Sequence, residues 1–131
     1  MIQRIQSVYL LLTAIFSSIF IFTPFAISGD TILKTLNYTS LVALSALVVI
    51  VSLTTVFLYK NRNLQVNLCR LATLLIAAIL GAGIFYALTT PGNDSPHYGT
   101  AFPLLGAIFV LLAIRGVKND IKLIRSMDRL R

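Results

Sequence analysis

Four long apolar runs, separated by short polar stretches, constrain this chain more than any single residue does. They cover residues 5–27, 38–59, 71–88 and 98–114. A hydrocarbon core about 30 Å thick takes about 20 helical residues to cross. Each run is therefore of spanning length, the fourth being the shortest. None alternates with the period of a lipid-facing strand. Unpaired backbone groups are too costly in lipid to leave open strands there, so the runs read as helices. Short connections make consecutive helices antiparallel neighbours. The expected fold is an all-α integral membrane protein, a single domain over 1–131. It is a four-transmembrane-helix up-down-up-down bundle with a short C-terminal amphipathic basic helix in the tail, 115–131.

Composition agrees with this reading. Hydrophobic residues make up 57% of the chain and charged residues 11%, with a mean hydropathy of +0.89. A soluble domain carries about 25% charged residues, so too few remain here to cover a folded surface in water. Arg4 precedes the first run, as in a signal peptide, but the run exceeds the roughly 7–15 apolar residues of a signal core and reads as a span. Tyr38 and Tyr59 bracket the second run at headgroup level. Asn37 and Thr100 are expected to cap the second and fourth helices, with Pro103 harmless in a first turn. Thr89, Thr90, Pro91 and Gly92 end the third.

Charge sets the expected orientation. With a cytoplasmic N-terminus, every Lys and Arg except Lys34 falls inside, ten of the eleven. Basic residues in short loops stay on the cytoplasmic side, so both termini are expected there. If the fourth run failed to span, the whole basic tail would lie outside. The net charge of +7 is thus largely a topology signal and weak evidence for nucleic acid, which is not expected as a partner.

The chain has four Asp and no Glu. No Asp, Lys or His lies within an apolar run. Proton and ion paths need acids or bases inside the membrane, and a haem needs an axial ligand. His97, in an outer loop with Asp94 and Tyr98, offers too few ligands for a metal. Cys69 is the lone cysteine, which excludes an internal disulfide and a CxxC pair. No catalytic residues, no cofactor and no metal are expected, and the chain does not read as an enzyme.

Two features remain. Lys118, Lys122, Arg125 and Arg129 fall at i, i+4, i+7 and i+11, on one narrow helical face. Val117, Ile121, Ile124 and Met127 line another, and Asp120 and Asp128 lie nearer that apolar side. Like charges at i,i+4 repel by a few tenths of a kcal/mol. The stripe is expected to contact the anionic inner leaflet, at about 1 kcal/mol per basic residue, or an acidic partner. The second feature is a set of small residues, Ala77, Ala78, Gly81 and Ala82 in the third helix and Gly106 in the fourth. Small-xxx-small spacing lets helices approach closely, either inside the bundle or against a membrane-protein partner or a second copy.

The opening MIQRIQSVYLLL and the closing IRGVKNDIKLIRSMDRLR resemble the family called domain of unknown function 4293, small four-helix membrane proteins typical of Bacteroidota. The resemblance implies a bacterial inner-membrane location. It brings no activity, cofactor or site residue with it. The function expected from all of this is that of a non-enzymatic accessory or scaffold subunit of a larger membrane assembly. The alternatives are a homo-oligomeric small-solute transporter or channel, with a polar seam drawn from the Ser and Thr of the first two helices, and a lipid-interacting enzyme, which no residue set supports.

Overall fold

The computed structural model describes every residue except Met1, Tyr59 and residues 90–93, and the side chains of residues 2–4, 28, 94 and 95 also lie outside the described set. The expectations placed on Arg4, Tyr59, Thr90, Pro91, Gly92 and the Asp94 side chain therefore fall outside it.

The four apolar runs form four helices: α1 (Ile2–Phe22), α2 (Thr39–Phe57), α3 (Arg62–Thr89) and α4 (Ala101–Asp128). Helix α1 packs on α2 and α4, and α3 packs on α2 and α4, which closes an antiparallel square. All four are long and apolar enough to cross a membrane. Helix α1 stops short of the expected residue 27 because Pro24 lacks an N–H and disfavours helical backbone at Thr23. The neighbourhood of Thr23 is held instead by Thr35, whose Oγ1 donates to the Thr23 carbonyl at 2.8 Å.

The buried positions reveal the solvent for which this fold is built. Helix α1 buries Gln6, Leu10, Thr13, Ser17 and Phe20. Helix α2 buries Leu41, Ser45, Val48, Ser52 and Thr55. Helix α4 buries Pro103, Gly106, Val110, Ala113, Val117 and Asp120. The intervals alternate between 3 and 4, the narrow seam of helices crossing at a small angle. These seams hold hydroxyls, amides and a carboxylate, while Ile15, Ile50, Leu74, Ile108 and Leu111 face outward. Only 17–33% of each candidate span is buried inside the bundle. An aliphatic exterior of this extent is stable against lipid tails and not against water. The chain is a multi-pass membrane protein with four candidate spans.

Of the six buried hydroxyls among the described residues, three bond their own helix. Thr13 donates to the Tyr9 carbonyl at 3.0 Å, Ser45 to Leu41 at 2.7 Å and Thr55 to Val51 at 2.5 Å. This local closure lets Ser and Thr sit in a dry seam. Outside the seams, Phe16 stacks on Phe109 at 5.5 Å and on Phe102 at 6.2 Å, joining α1 to α4.

One end of the bundle carries a three-stranded antiparallel sheet, drawn from the end of the first expected span and from two of the short connections. Strands β1 (Pro24–Ser28), β2 (Thr31–Lys34) and β3 (Asp94–Pro96) lie in the order β2-β1-β3. Ser28 pairs with Thr31 across the two-residue turn Gly29–Asp30. Gly29 has φ of +57° and Asp30 has a negative φ, the sense of a II′ hairpin turn. The turn Tyr98–Thr100 presses on β1 so closely that a Cβ on Gly99 would lie 2.0 Å from the Pro24 carbonyl oxygen. Beneath the sheet, Phe25 meets Tyr38 edge-on at 5.4 Å, and the Ser40 and Tyr86 hydroxyls share a hydrogen bond of 2.7 Å. Neither expected side-chain cap forms. Asn37 lies in a short 3-10 turn before the Tyr38 cap, and the Thr100 hydroxyl donates to the His97 carbonyl.

The other end differs from expectation in a way that matters for function. The tail is not a separate helix: α4 runs unbroken from Ala101 to Asp128. Its seam continues through Ala113, Val117 and Asp120, so nothing favours a hinge at residue 115. Helix α3 likewise begins at Arg62, well before the expected start at residue 71, because Gln65, Val66 and Cys69 extend its buried face. At 28 residues each, α3 and α4 are about 42 Å long, some 12 Å more than the hydrocarbon core. The start of α3 and the end of α4 overhang together.

Candidate functional site

The overhang gathers cations from two elements far apart in sequence. Asn63, Val66, Asn67 and Arg70 on α3 face Lys118, Ile121 and Arg125 on α4 across a cleft of about 520 Å³. It opens outward into a second compartment of about 760 Å³, lined by Lys60, Asn61, Arg62, Asn63 and Leu64 and by Ile121, Ile124 and Arg125. Asn63, Ile121 and Arg125 belong to both. No acidic side chain is among the described residues lining either compartment. The N-terminus of α3 lies at the outer compartment, and a helix N-terminus favours negative charge.

The expected cation stripe is exposed along its whole length but divided in role. Lys118 and Arg125 turn into the cleft. Lys122 and Arg129 stand on the same helix outside the lining of either compartment. Helical geometry alone placed the four together. The partner face on α3, which separates them, came from a stretch expected to be loop. Its signal was present in the sequence: Asn63, Asn67 and Arg70 fall at i, i+4 and i+7.

Beside the cleft, α4 is tied to α1. The Gln6 side-chain amide donates to Asp120 Oδ2 at 2.7 Å, and both residues are buried. Gly116 lies one turn before Asp120. A Cβ there would come within 2.9 Å of Gln6 Cγ, so the glycine makes room for the amide. The sequence reading set Asp120 nearer the apolar side of a free tail; the structure buries Asp120 and Val117 in the bundle, with Asp120 bonded to α1, while Ile124 and Met127 on that side stay exposed.

The small residues are scattered. Gly106 is buried, and a Cβ added there would meet Ile76 and Thr13 at 3.8 and 3.9 Å, ordinary contact distances. Ala82 is half-buried, whereas Ala77, Ala78 and Gly81 face out of the bundle. Packing inside this chain therefore engages Gly106 and Ala82 but not the other three. Cys69 is buried with a free thiol. The His97 ring lies against Tyr98 at 4.1 Å, tilted by 57°, its Nδ1 buried without a hydrogen-bond partner. Among the described residues no three His, Cys, Asp or Glu cluster as metal ligands.

Comparison with known proteins finds no match among curated proteins and none among solved structures. A family model described as domain of unknown function (DUF4293) matches residues 2–130, nearly the whole chain and both ends of the basic overhang. The chain belongs to the DUF4293 family.

Proposed function

We propose that this protein is a non-enzymatic accessory or scaffold subunit of a bacterial inner membrane, with both termini cytoplasmic. Its basic end contacts the anionic leaflet or an acidic surface of a partner in a larger membrane assembly. One observation carries the reading: cations from the start of α3 and the end of α4 converge on a single rim. Among the described residues, the buried hydroxyls of Thr13, Ser45 and Thr55 are taken up by bonds within their own helices. Ten of eleven basic residues lie on the side that stays cytoplasmic when the N-terminus is inside. The overhang is the strongly basic surface the bundle offers a partner.

The transporter reading draws on the seam of Ser45, Ser52 and Thr55, where the Ser52 hydroxyl is buried without a partner. A pore between copies needs polar residues on the outer face. These residues turn into the bundle of one chain instead, which favours the subunit reading.

The test is mild affinity purification of the tagged full chain at native expression, followed by mass spectrometry. A stoichiometric protein partner is expected. Its loss on changing Lys118, Lys122, Arg125 and Arg129 together to Glu would support the tail's role, and retention would refute it. Recovery of a homo-oligomer with lipid alone would overturn the subunit reading.

A further inference from the structure

We propose that the α3–α4 cleft is a site for the headgroup of an anionic phospholipid carrying two phosphates. The proposal rests on the basic-end reading above and names one ligand for that end. The two compartments are each lined by three cations and share Arg125. Arg70 and Lys118 complete the inner set, and Lys60 and Arg62 the outer. Lys118 and Arg125 are seven residues apart on α4, about 10 Å along its axis. Like charges held this close without an acidic counterpart repel, and bound phosphates relieve that repulsion at both levels. Arginine recognises phosphate through bidentate hydrogen bonds, and the Asn63 and Asn67 amides can donate to further oxygens.

The apolar part of the lining selects a lipid over a soluble phosphate. Leu64 and Ile121 share the cleft with the cations, and Leu71 stands exposed on α3 one residue beyond Arg70. A headgroup seated here can run its acyl chains directly onto the aliphatic exterior. Basic pockets between helices at the inner face of a membrane are suited to lipids of this kind.

The test uses the full chain in neutral detergent, read by native mass spectrometry. A four-chain, two-phosphate lipid is compared with phosphatidylglycerol at twice its concentration, which equalises total phosphate. Retention of the two-phosphate lipid is expected to be at least about tenfold higher, the margin a second chelated phosphate provides when held by the same site. Arg70→Gln with Arg125→Gln should remove that preference. Lys122→Gln with Arg129→Gln takes away the same charge outside the cleft and should leave retention within about twofold. Equal retention of the two lipids by the unaltered chain would overturn the proposal without recourse to any variant. Equal loss in both double variants would reduce the site to diffuse electrostatics. Displacement by equimolar pyrophosphate would reassign the cleft to a soluble diphosphate. Failure in any of these ways leaves the protein-partner test above standing, because that experiment reads a different molecule.

Discussion

Replacing Asp120 by Leu removes the carboxylate that accepts the Gln6 amide at 2.7 Å across 114 residues of sequence. The amide is then left buried among apolar neighbours. Replacing Gln6 by Leu instead strands the carboxylate. Hydrogen bonds to charged groups contribute about 1.5–3 kcal/mol in soluble proteins. Interhelical bonds measured inside membranes average about 0.6 kcal/mol and reach about 1.7. This pair is buried like an interior bond but sits at the bundle end, where the membrane figures apply less fully. A coupling of about 1–2 kcal/mol follows. Each single variant should lose about 1–3 kcal/mol through its unpaired buried group, and the double variant should lose about 1–2 kcal/mol less than the sum of the two. The assay is a double-mutant cycle on full-length protein, unfolded from mild detergent into a denaturing one and followed by circular dichroism. A coupling below about 0.5 kcal/mol, the scatter expected of independent sites, would refute the idea that this bond fastens the overhang of α4 to α1.

Three further outcomes follow from the packing. Gly99→Ala should destabilise by about 1–3 kcal/mol, the range for overpacking, because its Cβ would fall on the Pro24 carbonyl; a melting temperature equal to that of the unaltered protein would contradict this. Gly106→Ala should be tolerated within about 0.5 kcal/mol while Gly106→Leu costs about 1–3 kcal/mol, since only the longer side chain outgrows the 3.8 Å gap to Ile76; the comparison is made by the same unfolding assay. With the buried Cys69 silent, Asp30→Cys should react with an impermeant maleimide added to intact cells and Ser126→Cys only after the membrane is opened. The reverse pattern would invert the orientation drawn from the basic residues.

Part of this architecture was legible before any fold was known, and the reason is chemical. Apolar run length measures contact with lipid, so four spans could be read directly, and short connections made them antiparallel. The basic residues identified one end of the bundle as distinct. The hairpin at Gly29–Asp30 was also written in the chain, since Gly followed by Asp between two short apolar stretches is a turn signal. It was absorbed into the first span and its loop because hydrophobicity there continues past Pro24.

Run length and charge pattern alone therefore settle the solvent, the number of helices and the placement of charge. Each of these depends on residues one or a few positions apart. The tertiary structure decided the rest. Asp120 and Gln6 each look like an isolated polar residue near a terminus until α1 and α4 lie side by side. Lys118 and Lys122 look equivalent on one helix until α3 extends past the hydrocarbon and faces only the first of them. Both outcomes depend on which helix faces of an antiparallel square meet. Which of these faces meet is set by pairing between segments far apart in sequence, 114 residues for Gln6 and Asp120 and about half that for the two walls of the cleft, and that pairing turns a basic tail into a two-walled cationic cleft.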